Sequence, residues 1–205
     1  MALFLLIRHA ENDFLQRRIL AGRSPGVHLN ARGRRQAEEL AQALAGLRIE
    51  AVYSSPLERA RETAEPFAIQ AGLPVHLLPA LNEIDFGAWT GAGFDRLAGD
   101  PHWSAFNSFR SSTRTPGGEI IFEVQARMLA ALEELCAFHG DGRVAVFGHG
   151  DPLKTVVAHF LGMPLDFITR LNIDPASVSA VRFASWGAKV LFINRRIGEL
   201  KFDDA

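Results

Sequence analysis

Leu3-Phe4-Leu5-Leu6-Ile7-Arg8-His9-Ala10 is an apolar run of strand length that stops at an arginine and a histidine. An unbroken run, rather than an alternating one, is the pattern of a strand covered on both faces, as in the middle of an α/β sheet. Open sheets of that kind bind ligands beyond the carboxyl ends of their strands, so Arg8 and His9 are expected at the mouth of a pocket. On this pair alone, a buried histidine with a satisfied hydrogen bond beside an ion-paired arginine is the alternative, and partners elsewhere in the chain must decide.

Downstream of His9 the stretch from Glu11 to Asn30 reads as a long loop, with Arg17, Arg18 and Arg23 set around Gly22, Pro25 and Gly26. Asn30 then caps a helix whose apolar positions Ala37, Leu40, Ala41 and Leu44 recur at helical spacing, with Arg32, Arg34 and Arg35 on its solvated face. Ala51–Ser54 reads as a second buried strand. After it, Ser55 and Glu58 have capping-box spacing with Pro56 at the first helical position, which places Arg59 in the first turn of a helix. Such a turn, with its free N–H groups, favours an anion. A third strand is expected over 74–78, followed by Leu81-Asn82-Glu83-Ile84-Asp85-Phe86-Gly87.

From Phe86 to Gly118 periodicity weakens and aromatic residues concentrate, which suggests a mostly helical cap over the pocket, closed by Pro116-Gly117-Gly118, either a substrate lid or a plain insertion covering the core. Val124, Met128, Leu132 and Leu135 mark a long helix running to about His139. Arg143–Phe147 is another β-rich run, ending in Gly148-His149-Gly150-Asp151-Pro152. Asp151 is expected to cap the next helix, so His149 repeats the placement of His9. Val181 and Phe183, then Val190 and Phe192, alternate on either side of Ser185-Trp186-Gly187 and read as a hairpin at one sheet edge. The chain is expected to form one domain, residues 1–205, with the cap inserted at about 86–118.

Composition narrows the function classes. The 22 basic and 23 acidic side chains give a net charge of -1, which argues against a nucleic-acid footprint or a polybasic membrane anchor. The lone cysteine, Cys136, has no internal disulfide partner and is expected as a buried thiol in a reducing compartment. The apolar start is too short to span a bilayer, so a soluble, cytoplasmic protein is expected. The chain has no Walker or dinucleotide fingerprint, and nothing in it specifies a cofactor or an oligomeric state.

Two histidines and two arginines thus fall at strand ends or at a helix amino terminus on one side of the sheet. Arg8 and Arg59 can grip phosphoryl oxygens in bidentate fashion, one imidazole can act as nucleophile, and the other can stabilise charge. Glu83, read as lying at a strand end, supplies an acid for the leaving oxygen. At these residues the chain resembles the histidine phosphatase superfamily, also called phosphoglycerate mutase-like. The segments that carry the resemblance are Arg8-His9-Ala10, Ser54 to Ala60, Glu83 to Gly91, Pro116 to Glu119 and Gly148-His149-Gly150. Ala10 departs from the family's glycine but keeps a small residue.

The resemblance implies a three-layer α/β/α sandwich with a mostly parallel central sheet and an antiparallel edge hairpin. It also implies a phosphohistidine on His9, catalysis by His9, Glu83, His149, Arg8 and Arg59, and a phosphate pocket of Arg8, Asn12, Arg59, His149 and Gly150. Arg23 either joins that pocket or packs on the protein. The expected reaction is hydrolysis of a small phosphorylated metabolite without a metal. A phosphomutase of the same family is the alternative. A binding protein without turnover lacks support, because all the catalytic residue types are present. A metal hydrolase using His149 and Asp151 lacks further ligands at suitable spacing.

Overall fold

The computed structural model describes residues 2–185 and 187–199. Its centre is a six-stranded sheet of β1 (Leu3–Arg8), β2 (Ala51–Ser54), β3 (Val75–Leu77), β4 (Arg143–Gly148), β5 (Val178–Ala184) and β6 (Gly187–Arg195), in the order β3-β2-β4-β1-β5-β6. The first four in that order run parallel, β5 runs antiparallel to β1, and β6 pairs antiparallel with β5. This is the mostly parallel sheet with an edge hairpin that the sequence suggests. Trp186, expected at the hairpin turn, lies outside the described residues.

Three layers follow from the period of two along β1. Leu3, Leu5 and Ile7 enter one apolar cluster with α2 (Ala31–Leu44) and α3 (Glu58–Ala71). Phe4 and Leu6 enter another with α6 (Ile121–His139) and α7 (Gly150–Phe160). Because both parities are apolar, both faces of the strand must be covered, and helices cover them. The second cluster also takes in Phe86, Trp89 and Phe106 from the stretch before α6.

Local signals set several helix ends. Asn30 caps α2, its side chain accepting from the Gly33 N–H at 2.8 Å. Asn12 starts a single-turn helix, α1 (Asp13–Gln16), inside the stretch read as loop, accepting from the Leu15 N–H at 3.0 Å. Two expected caps are not formed. Helix α3 begins at Glu58 after Leu57, without a side-chain cap, because Ser55 extends β2 and its hydroxyl bonds to Asn82. Helix α7 begins one residue before Asp151, with His149 at the capping position, and the Asp151 carboxylate pairs with cations instead.

The expected cap is helical only in part. Within 86–118 a turn at Gly87–Trp89 is followed by α4 (Phe94–Leu97) and α5 (Pro101–Ser108), and irregular chain completes the stretch. Its base is pinned at Gly87, where a Cβ would lie 1.9 Å from the Pro116 carbonyl oxygen, so only glycine permits that approach. Backbone bonds stitch this stretch to the residues after α1: Leu20 N–H donates to Ala92, Gly91 N–H to Leu20 and Phe94 N–H to Arg18. Cys136 is half-buried rather than buried, because the face of α6 toward the core is taken by Val124, Met128, Leu132 and Leu135. Among the described residues no helix is long and apolar enough to cross a membrane.

Candidate active site

Strand order brings the chemistry together. β1, β4 and β2 are neighbours, so the residues that follow them, His9, His149 and Ser55, emerge side by side at the carboxyl edge. The ladder continues past the strands, with His9 N–H donating to Gly148 and Ser55 N–H donating to Phe147, each at 2.9 Å. The two imidazoles consequently sit with ring centroids 5.2 Å apart.

His9 is 4% exposed, and its Nδ1 lies 2.8 Å from the Ala10 carbonyl oxygen. A carbonyl only accepts, so Nδ1 carries the hydrogen and Nε2 of the neutral ring holds a lone pair. Burial, aided by the Arg59 and Arg8 charges, holds the His9 pKa well below its ordinary value. The ring thus resists a second proton, and its Nε2 lone pair is the group it can offer to an electrophile. Ala10, the departure from the family glycine, still serves through its backbone: its N–H donates to Thr63 Oγ1 at 2.9 Å.

His149 is fully buried, and its Nε2 meets Ser55 Oγ at 2.9 Å. The Ser55 hydroxyl spends its one hydrogen on Asn82 Oδ1, 2.8 Å away, so it accepts from His149, whose Nε2 is the protonated nitrogen. Nδ1 of His149 is left buried without a partner. Burial and the nearby Arg59 hold this imidazole neutral as well.

The two arginines are arranged as an anion site. Arg59 is 1% exposed, yet among the described residues it makes only one hydrogen bond through its guanidinium, NH2 to the Gly22 carbonyl at 2.7 Å. Arg8 donates from NH1 to the Ile173 carbonyl at 2.6 Å. Nε of Arg8, Nε and NH1 of Arg59 and Nδ2 of Asn12 are buried without partners. Each such donor costs about 1–3 kcal/mol unless something accepts from it, and a phosphoryl group offers several acceptors at once.

Arg8, His9, Asn12, Arg59, Glu83 and Gly150 line one cavity of about 160 Å³. Leu15, Ile19, Leu20, Phe86 and Phe94 supply its apolar side. His149 backs this cavity through its contact with His9. Arg23 is not among the lining residues: its donors go to the Glu83 carbonyl at 2.9 Å and to Glu119 at 2.9 Å, with Asp85 at 3.9 Å. Of the two placements the sequence left open, it takes the one on the protein.

Glu83 does not lie at a strand end. It sits in irregular chain after a turn at Pro79–Leu81, with Oε1 accepting from the Ile84 N–H at 2.9 Å. Burial first, then the Asp151 charge, raise its pKa against the pull of Arg59 and Arg8, so its acid form survives to higher pH than an ordinary glutamate's. Asp85 turns its carboxylate to the Gly87 N–H, and it is absent from the lining.

Four groups take places that the motif reading did not assign to them. Asn82 orients Ser55 and thereby His149. Glu119 and Arg127 pair at 2.9 Å, and Arg127 also donates to the carbonyls of Ala80 and Glu83, so the two hold the segment that carries Glu83. Lys154 lines the cavity one helical turn beyond Gly150. Only Lys154, at i+4 from a motif residue, is signalled by spacing.

The sequence model of the histidine phosphatase superfamily (branch 1) matches residues 4–196. Phosphoserine phosphatase 1 of Hydrogenobacter thermophilus is 30% identical over 95% of this chain and 92% of its own length. The adenosylcobalamin/alpha-ribazole phosphatase of Escherichia coli K12 is 29% identical over 93% of this chain and 95% of its own. Among solved structures, a phosphoserine phosphatase mutant from Entamoeba histolytica in complex with phosphoserine superposes with a TM-score of 0.87 at 26% identity, covering 98% of this chain and 100% of that one.

Proposed function

Since the chain belongs to the histidine phosphatase superfamily, we propose that it hydrolyses a small phosphorylated metabolite through a phosphohistidine on His9. The observation that carries this reading is the His9 imidazole, neutral and with Nε2 free, set among buried guanidinium donors that lack acceptors. In the first step Nε2 attacks phosphorus, the ester P–O bond breaks, and Glu83 gives its proton to the leaving oxygen. In the second, water attacks the phosphohistidine, the P–N bond breaks, and Glu83 takes the water's proton. Arg8 and Arg59 stabilise charge on the equatorial oxygens, His149 joins them when the phosphoryl anion brings a proton onto its unpartnered Nδ1, Asn12 and the Gly150 backbone border the same group, and no metal takes part. Residues 86–118 act as the cap of one domain, and the lone Cys136 suits work in the cytoplasm.

Rapid quench tests the intermediate. The enzyme mixed with a phosphate ester should yield an acid-labile, base-stable phosphoryl adduct, absent in His9→Ala, while inorganic phosphate accumulates in step with substrate loss. A full adduct in His9→Ala moves the nucleophile elsewhere, and a phosphorylated isomer formed without phosphate release makes the chain a mutase.

A further inference from the structure

Asn82 ends a hydrogen-bond chain that begins on one of the two buried imidazoles. Ser55, fully buried just after β2, is its middle member. The Ser55 hydroxyl accepts from the Leu57 N–H at 3.3 Å and lies 2.9 Å from His149 Nε2 and 2.8 Å from Asn82 Oδ1. A hydroxyl has one hydrogen and two lone pairs, and an amide oxygen only accepts. With Asn82 taking the hydrogen, both lone pairs are spent on Leu57 and His149, and the proton of the neutral His149 ring stands on Nε2. Without Asn82 the hydroxyl can turn and donate to Nε2, which moves that proton to Nδ1.

The two forms meet an anion differently. Arg8 Nε, Arg59 Nε and NH1 and Asn12 Nδ2 are buried donors without partners, whereas His149 Nδ1, equally buried and unpartnered, carries a lone pair. A phosphoryl oxygen has nothing to donate to that lone pair, so a proton must arrive with the anion. It comes from the ester's own hydroxyl when the monoanion binds and from solvent when the dianion binds. His149 is then a cation, donating through Nε2 to Ser55 and through Nδ1 to the phosphoryl group. An Nδ1–H ring would donate as a neutral group and take up no proton. The charges that bear on His149 are those of Arg59 on α3, His9 and Arg8 at the end of β1 and Arg127 on α6, and all oppose its protonation until an anion offsets them. Asp151, two residues along the chain, is held by Arg110 and Lys154. His9 and Glu83, on the cavity wall, are the other groups able to take up a proton there.

We propose that Asn82 is a positioning residue for the reaction: through Ser55 it keeps His149 in the Nε2–H form, so that the phosphoryl group binds together with one proton and meets a cationic rather than a neutral donor. The proposal rests on the hydrolase reading above. Asn82 directly precedes Glu83, so one short segment both carries that carboxyl and sets the charge of the second imidazole.

Three readouts of Asn82→Leu test it. Nitrogen-15 spectra of histidine-labelled, anion-free protein at about pH 8, where imidazoles are neutral, should show His149, identified by its loss in His149→Gln, as the Nε2–H tautomer in the parent. Asn82→Asp, whose carboxylate also only accepts, should keep that form, and Asn82→Leu should shift the proton to Nδ1 in all or part of the population. Sulfate, a dianion at every pH used, should bind more weakly as pH rises, and the slope of log Kd on pH should fall by up to about one in His149→Gln and by a similar amount in Asn82→Leu. Finally, Asn82→Leu should lose about 10-fold in kcat/KM, the step from a charged to a neutral hydrogen bond, with burst rates depressed equally for an alkyl ester and p-nitrophenyl phosphate, since His149 acts on oxygens common to both. An unchanged tautomer or an unchanged slope in Asn82→Leu overturns the proposal, and so does a loss confined to the alkyl ester, which would mean that the leucine merely disturbs Glu83. If the parent hydrolyses no ester, the hydrolase reading falls by itself, and the tautomer and the sulfate slope still judge Asn82.

Discussion

Arg59 shows at the scale of one residue how a binding site opposes stability. Its guanidinium is buried with two of its nitrogens unpartnered, and burial is the main influence lowering its pKa, partly countered by Glu83 and Glu58. Removing such a charge should not cost the ~3–5 kcal/mol that breaking a compensated buried pair costs. Arg59→Met should therefore melt no earlier than the parent in the absence of anions, lose the rise in Tm that inorganic phosphate gives the parent, and turn over on the order of 10²–10³ slower. Thermal melts with and without phosphate, beside a rate assay, decide this. A variant that melts early yet still responds to phosphate would remove Arg59 from the anion site. Glu83 has its own signature, since an alkyl ester needs a proton on its leaving oxygen and p-nitrophenyl phosphate scarcely does. Glu83→Gln should slow the pre-steady-state burst far more for a sugar phosphate than for the aryl ester, whereas Asp85→Asn, whose side chain caps a turn, should not discriminate between them.

At the scale of elements, Glu83 depends on chain that has no regular structure of its own. Residues 82–85 lie between the turn at Pro79–Leu81 and the start of the cap, and the carbonyls of Ala80 and Glu83 are gripped from outside by Arg127 of α6, that of Glu83 also by Arg23. Glu119, just ahead of α6, pairs with both arginines and accepts from the Asp85 N–H at 2.9 Å. It holds the segment that carries Glu83 without lining the cavity. Glu119→Gln should lower kcat by roughly 10- to 100-fold for alkyl esters with little change in KM, because a small misplacement of a catalytic group costs that much. The loss should be milder for p-nitrophenyl phosphate and should not add fully to that of Glu83→Gln, as expected of coupled positions. Equal losses on both esters would reduce Glu119 to a structural part. The same dependence explains why Ala10 is tolerated after His9: what the neighbouring elements use there is a backbone N–H and a backbone carbonyl.

For the whole molecule, pH acts through the two buried imidazoles. Both have folded pKa values well below 6.5, chiefly from burial, so as pH falls through 6.5 the unfolded chain takes up protons that the folded chain refuses. Their contribution to stability is full above that value and is lost as pH falls beneath it. Each adds a slope of up to about 1.4 kcal/mol per pH unit. Glu83 acts in the opposite sense: its folded pKa is raised, so its contribution is full below 4.5 and is lost as pH rises through the folded value. Urea unfolding between about pH 7.5 and pH 5.5 should therefore show a smaller loss of stability in His149→Gln than in the parent. Equal losses would mean that His149 charges as readily folded as unfolded.

The sequence by itself determined the layers and the order of the site segments. In Leu3–Ile7 residues of both parities are apolar, so two covering layers are required whatever the rest of the chain does, and the helical spacing from Ala37 to Leu44 supplies part of one. Arg8-His9 and Gly148-His149 each close a buried strand, which places both imidazoles at one edge by connectivity alone. Only the tertiary structure decided how the polar side chains were used. Ser55 and Asp151 both have capping positions within reach in the sequence, and both abandon them for partners distant in the chain, Asn82 with His149 and Arg110 with Lys154. A local cap and a distant hydrogen bond are of similar strength, about 1 kcal/mol each, so the neighbours that sheet order brings near decide between them. Arg23 and Arg59 likewise look alike as phosphate ligands in sequence. One ends half-exposed on Glu119 and the other buried with free donors, because the difference lies in which carboxylate the folded chain sets beside each, and no periodicity encodes that.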